Sequence, residues 1–192
     1  VDVSNKSNPS ETDSIDIDRG NDAYSIFKSG NYAFLGRDEV SGGGPPGGGP
    51  PGGGPPGGGP PGGGGPPASS GTAEFYSIDV SNPNNVSLED SVELGTEVND
   101  VFISGSYAYL ATGDDEIEII DISNPSNMST AGSYNTPSGA NGNAVFVDGS
   151  YLYLGTDNNG GGDEFYILNI SSPTSPSLTG SYNAGDDVSL IK

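Results

Sequence analysis

Apolar and polar residues alternate along most of this chain, in short runs that stop at Ser, Asn, Gly or Pro. The plainest run, Ile120-Asp121-Ile122-Ser123-Asn124-Pro125, returns as Ile78-Asp79-Val80-Ser81-Asn82-Pro83 and as Leu168-Asn169-Ile170-Ser171-Ser172-Pro173. It also opens the sequence as Val1-Asp2-Val3-Ser4-Asn5, with Lys6 in the place of the proline. A period of two with β-branched residues on one side predicts a half-buried strand, and Ser-Asn-Pro predicts the turn that ends it. A second phrase returns in step with the first: Ser29-Gly30-Asn31 before Tyr32-Ala33-Phe34-Leu35, Ser104-Gly105-Ser106 before Tyr107-Ala108-Tyr109-Leu110, and Asp148-Gly149-Ser150 before Tyr151-Leu152-Tyr153-Leu154. Each reads as a hairpin turn followed by its second strand. No segment carries a 3.6-residue apolar period, which excludes helical repeats.

Tyr107 and Tyr151 are 44 residues apart and Asp121 and Asn169 are 48. In the middle unit the pattern predicts strands at 100–104, 107–112, 117–122 and 128–134. Four short strands in each period of about 40 to 45 residues is the mark of a β-propeller blade. The expected fold is therefore all-β, a propeller-like array of four-stranded antiparallel blades with three complete repeats and one split repeat. Of the split repeat, the amino terminus supplies a third and a fourth strand, the latter at 14–18, and residues 187–192 supply a first. Residues 1–192 read as a single domain interrupted at 41–70 by a Gly- and Pro-rich low-complexity insertion. Its core at 42–67 repeats Gly-Gly-Gly-Pro-Pro, a polyproline II-like segment without side chains to bury.

The succession Asn99-Asp100-Val101-Phe102-Ile103-Ser104-Gly105, Tyr107-Ala108-Tyr109-Leu110, Ile117-Glu118-Ile119-Ile120-Asp121-Ile122-Ser123-Asn124-Pro125 and Gly132-Ser133-Tyr134 resembles the LVIVD-repeat family of β-propeller proteins. The resemblance covers everything but the Gly/Pro insertion. It implies a protein exported or displayed at a cell surface, with no catalytic activity common to the family and no active-site residues to carry over.

Composition narrows the function. The 192 residues hold 26 Asp and Glu against five Lys and Arg, a net charge of −21, which argues against nucleic acid or an anionic membrane as partner. Cations or basic partners complement such a surface. There is no cysteine and no histidine, so thiol nucleophiles, disulfides and the commonest general base are all missing. No apolar run approaches the roughly 20 residues of a membrane span.

The loops after the second strands are acidic. Asp114, Asp115, Glu116, Asp157 and Asp163 are candidate calcium ligands, since calcium takes six to eight oxygens on flexible, Gly-bearing loops. No EF-hand or RTX pattern supports them, and calcium is the one cofactor the sequence suggests. A glycosidase-like carboxylate pair has no spacing or motif behind it. Asn5, Asn85 and Asn127 sit in N-x-S sequons and are candidate glycosylation sites; Asn169 forms a further sequon but replaces the strand Asp. Tyr32, Tyr107 and Tyr151 recur at blade period and are expected to pack between blades.

An incomplete ring exposes strand edges that attract other chains. Val1, Val3, Ile15 and Ile17 at one end, and Val188, Leu190 and Ile191 at the other, are the expected subunit interface. The sequence thus points to a non-enzymatic structural subunit of an extracellular or cell-surface assembly. Its expected partner is itself, in a filament joined head to tail by shared strands, with neighbouring filaments or cell-surface components as further contacts. The alternative is a monomeric adhesion or ligand-binding propeller module within a longer surface protein.

Overall fold

A computed structural model of the chain describes residues 11–17, 22–38, 73–113 and 116–191. Twelve strands form three four-stranded antiparallel sheets, each a meander in chain order. The first holds β1 (Ala23–Ser29), β2 (Tyr32–Arg37), β3 (Phe75–Asp79) and β4 (Ser87–Val92). The second holds β5 (Val98–Ser104), β6 (Tyr107–Thr112), β7 (Ile117–Asp121) and β8 (Ser129–Tyr134). The third holds β9 (Gly142–Asp148), β10 (Tyr151–Thr156), β11 (Phe165–Asn169) and β12 (Ser177–Tyr182). These are the three blades the repeats predict, and among the described residues there is no helix.

The register explains the repeated phrases. Ser29 pairs with Tyr32, Ser104 with Tyr107, and Asp148 with Tyr151 across two-residue turns. The first residue of each turn is Gly30, Gly105 or Gly149, with φ near +60°, a conformation side chains resist. In the Ile-Asp-Ile-Ser-Asn-Pro phrase the acid is a cap. Asp79 Oδ1 accepts from the Ser81 amide at 2.7 Å, Asp121 Oδ1 from Ser123 at 2.8 Å, and Asn169 Oδ1 from Ser171 at 2.9 Å. The next turn closes from Asn85 N to Asn82 O, from Asn127 N to Asn124 O, and from Ser175 N to Ser172 O. Proline, with its fixed φ, fills the second position of each of these turns.

The amide and hydroxyl of Ser81 hold the Asp79 carboxyl, and the hydroxyl and amide of Ser123 hold the Asp121 carboxyl, below the usual carboxylate range. A depressed folded-state value means stability that is present above the ordinary value of about 4 and lost as pH falls through it. Asn169 makes the same bond with no proton to gain. Changing Asp121→Asn should therefore leave the melting temperature near pH 7 almost unchanged while flattening its fall as pH drops below about 4. An acid limb as steep as that of the parent, in melts followed across that range, would assign the loss to other groups.

β1 lies beside β5 and β5 beside β9, while the first and third sheets are not packed on one another. Phe27, Phe102 and Phe146 hold one position on these three strands, with ring centroids 5.4 and 5.1 Å apart, so the innermost strands share an aromatic row. The core is not within the sheets but between them. One cluster sets Phe34 and Phe75 of the first sheet against Val98, Val101, Ile103, Leu110 and Ile120 of the second. The other sets Tyr109, Ala111, Ile117 and Ile119 of the second sheet against Val145, Leu152, Leu154, Tyr166 and Leu168 of the third. The second sheet thus has one face toward the first blade and one toward the third, and both are apolar. Burying one Leu or Ile side chain at such a joint contributes about 1.5–3 kcal/mol.

At the ends the described residues differ from the expectation. The strand expected at 14–18 is not paired as a strand over its described part, 14–17, and residues 188–191 likewise form no strand. A strand needs a continuous main-chain ladder, and neither segment joins one of the three sheets. The positions Val1, Val3, Asn5, Asp114 and Asp115 and the insertion at 41–70 lie outside the described residues.

Candidate assembly interface

Two internal joints show what one blade demands of the next. On the inner strands, Val101 N donates to Ser25 Oγ at 3.0 Å, and Val145 N donates to Asp100 Oδ2 at 3.0 Å. Ser25 and Asp100 are equivalent, so each blade caps a freed amide in the blade that follows. Those amides are free because β5 and β9 are edge strands of their sheets, and every second amide of an edge strand points away from its one partner. A second rule is steric. A Cβ on Gly36 would come within 2.5 Å of Val98 Cγ1, and one on Gly155 within 2.6 Å of Val188 Cγ1. At the middle joint the sizes are exchanged, with Ala111 on the earlier blade and Gly142 at the start of the later one. Val188 therefore sits on the third sheet as Val98 sits on the first, and its amide donates to Thr156 O at 3.0 Å.

The outer turns follow a third rule. Met128 N donates to Asp90 Oδ2 at 2.6 Å, joining the second blade to the first. At the opposite side of the first blade, Val86 N donates to Asp13 Oδ2 at 2.8 Å and Thr12 Oγ1 to Pro83 O at 2.8 Å. Asp13 stands to the opening phrase of the chain as Asp90 stands to its own, so residues 11–17 occupy the outer edge of a preceding blade. Ile15 and Ile17 are half-buried there.

The two outermost faces repeat the residues of the joints without their cover. On the first sheet, Ile26 corresponds to Val101 and Val145; it is 67% exposed while they are buried at 4% and 3%. Leu35 is half-buried where Leu110 and Leu154 are fully buried. Lys28 holds the position of Ile103 and Val147, a cation in an apolar slot. On the third sheet, Tyr153, Phe165 and Ile167 are half-buried where their counterparts Tyr109, Ile117 and Ile119 are buried. Tyr182 is 68% exposed, whereas its counterparts Val92 and Tyr134 pack on the joint clusters. Tyr32 and Tyr107 also pack on those clusters, and Tyr151 stands exposed at the free end. Of the expected carboxyl-terminal residues, Val188 and Ile191 are half-buried and Leu190 is 66% exposed.

The acidic positions divide. Glu116 is fully buried rather than displayed on its loop: its carboxylate accepts from Thr136 N at 2.8 Å and Thr136 Oγ1 at 2.9 Å. Glu74 and Glu164 do the same in the other blades, accepting from Leu94 N and Gly95 N, and from Ala184 N and Gly185 N. This buried glutamate before each third strand pins the segment that leaves for the next blade. Burial pushes the Glu74 carboxyl up, and the amides of Leu94 and Gly95 pull it back. Asp157 accepts from Asn143 Nδ2 at 2.6 Å, and Asp163 lines an open hollow with Asn158, Gly162 and Asn183. Among the described residues no three carboxylates gather as a metal site. Asn85 and Asn127 are exposed on equivalent outer turns, while Asn169 Oδ1 is engaged by Ser171.

The family model for the LVIVD repeat matches residues 1–17, 95–136 and 140–184, more than half of the chain. The chain belongs to the LVIVD-repeat family. The matched segments are the second and third blades and the amino-terminal piece, so the LVIVD unit coincides with the blade. The 1–17 match agrees with the docking of Thr12 and Asp13 as part of a preceding LVIVD blade. No curated protein matches the sequence. Among solved structures, the computationally designed Ika4 protein is similar in fold, with a TM-score of 0.56 at 10% identity over 89% of this chain and 80% of that one.

Proposed function

We propose that this LVIVD protein is a non-enzymatic structural subunit of an extracellular or cell-surface assembly, in which copies join head to tail into a filament. The observation that carries the reading is the pair of half-covered end faces. Ile26 and Leu35 at one end, and Tyr153, Phe165 and Tyr182 at the other, are the counterparts of residues that meet inside the molecule at the two joints. A contact between unlike faces is heterologous and propagates unless its rotation closes. The buried glutamates Glu74, Glu116 and Glu164 are committed to holding turns. The Gly/Pro insertion would then be carried at the filament surface, where it could meet neighbouring filaments or cell-surface components.

A net charge of −21 opposes such self-association, and salt screens it over a Debye length of about 8 Å at 0.15 M. Filaments in electron micrographs, with sedimentation showing assembly that rises as sodium chloride goes from about 10 to 150 mM, are the expected result. Millimolar calcium should promote assembly beyond its contribution to ionic strength if the loops of Asp114, Asp115, Asp157 and Asp163 bind it. A monodisperse monomer at every salt and protein concentration would favour a module that binds other molecules instead.

A further inference from the structure

The outer turns hold several asparagines, and the structure sorts them by what their side chains do. Asn82 Oδ1 accepts from Asn84 N at 3.1 Å and Asn124 Oδ1 from Ser126 N at 3.3 Å, so these two stabilise the turn itself. Asn169, in the sequon Asn169-Ile170-Ser171, accepts from both the amide and the hydroxyl of Ser171, and Ile170 is buried. Asn85 and Asn127 differ. Each closes its turn through the backbone, with N 2.9 Å from Asn82 O or Asn124 O, and among the described residues neither side chain takes part in a hydrogen bond. Both side chains are exposed, and each opens a sequon, Asn85-Val86-Ser87 and Asn127-Met128-Ser129, that leads into an outer strand. Docking of one blade on the next leaves them open. Asp13 takes the amide of Val86 and Asp90 that of Met128, one residue further along, and Asn85 and Asn127 stay exposed with those contacts made. The third blade carries Ser175-Pro176-Ser177 in the same place, without the asparagine and with the one residue a sequon excludes from its middle position.

We infer that Asn85 and Asn127 carry N-linked glycans, transferred from a lipid-phosphate-linked oligosaccharide; this rests on the extracellular placing proposed above and not on the filament. In the transfer the bond between the sugar's anomeric carbon and the donor's phosphate oxygen breaks, and a bond from that carbon to the asparagine Nδ2 forms. One amide proton is released and the phosphorylated lipid leaves. The acceptor brings a carboxamide and, two residues on, a hydroxyl. Ser87 Oγ is engaged by Glu89 Oε1 at 3.3 Å, whereas Ser129 is exposed, so Asn127 is the more open of the two sites. β4 and β8, which these residues lead into, are the outer edges of the first two sheets. An unpaired edge is a template for other chains, and a bulky hydrated group at its start obstructs that pairing. The glycans therefore guard two sheet edges, and the edge at β12 has none.

The test uses the full chain isolated from the cells that make it. In peptide mass spectra, the fragments containing Asn85 and Asn127 should carry the mass of an oligosaccharide, and an amidase that removes N-linked glycans should leave aspartate at both positions. Asn169 should stay unmodified. Ser129→Ala, made in the same cells, keeps the asparagine and should lose the glycan at Asn127 while that at Asn85 remains. Asn85 and Asn127 both unmodified, a sugar on Asn169 instead, or a modification of Asn127 that survives Ser129→Ala overturns the inference. Antibody to the chain, applied to intact cells and to their medium, reads the placing separately. Chain found outside the cell without glycan overturns the inference alone; chain found only inside, without glycan, overturns the extracellular reading with it. The guarding of edges has its own readout. The double variant Asn85→Gln with Asn127→Gln adds no charge and should associate side by side at a severalfold lower concentration than the glycosylated parent, and light scattering equal to the parent's would strike that role.

Discussion

Glu116→Ala should lower stability by about 2–3 kcal/mol and cut the temperature of unfolding by several degrees, the largest effect expected of any acidic residue in the second blade. The carboxylate is fully buried, and it accepts from both the amide and the hydroxyl of Thr136. Removing it leaves two buried donors without this acceptor and a void where the side chain stood. Glutamine keeps the volume and one acceptor oxygen but places an NH₂ against a donor, so Glu116→Gln should fall between parent and alanine. Because Thr136 lies on the segment from the second blade to the third, the loss should appear first at that joint. Hydrogen exchange should then show the amides of β9 losing protection before those of β7. If Glu116→Ala melts within about 0.5 kcal/mol of the parent, as surface substitutions usually do, the cap contributes nothing and the residue is an ordinary loop acid.

The contrast between Glu116 and the turn aspartates shows what the sequence discloses and what it hides. Strand positions and turns repeat in one dimension, so alternation and period reveal them: Tyr107 and Tyr151 open equivalent strands, and Asp79 and Asp121 cap equivalent turns. Glu74, Glu116 and Glu164 also recur before each third strand, but an acid after Thr-Ala, Asp-Asp or Gly-Asp reads as one more solvated charge. Only its position relative to the strand, not its neighbours, marks it as a cap. Complementarity between blades is hidden for another reason. Gly36 and Val98 meet across 62 residues of chain, and a glycine followed by Arg or Thr at a strand end reads as the start of a turn. The size rule becomes visible only when three joints are compared in space. The ends at 14–17 and 188–191 are a similar case: their alternation announces strands, and a strand ladder waits on a neighbour of matching register.

The size rule can be put to a decisive test at the first joint, by converting it into the second. Gly36→Ala alone would bring a methyl to 2.5 Å from Val98 Cγ1, and this overpacking should cost about 1–3 kcal/mol. Val98→Gly alone empties a fully buried valine and adds backbone freedom, so it should cost about 2–4 kcal/mol. The double variant places alanine on β2 and glycine at the start of β5, the arrangement already present as Ala111 with Gly142. Its methyl occupies part of the space the valine leaves, so the double variant should lose well under the sum of the two singles. A coupling of about 1.5 kcal/mol or more in a double-mutant cycle is the expected result, since the groups touch. Strict additivity would mean that the sheets shift apart to absorb each change independently. In that event Gly36 is glycine for some reason other than Val98, and the matching of blade to blade cannot rest on these pairs. Coupling of the expected size would instead make the pair at Gly155 and Val188 a measure of how firmly the third blade holds the start of the next.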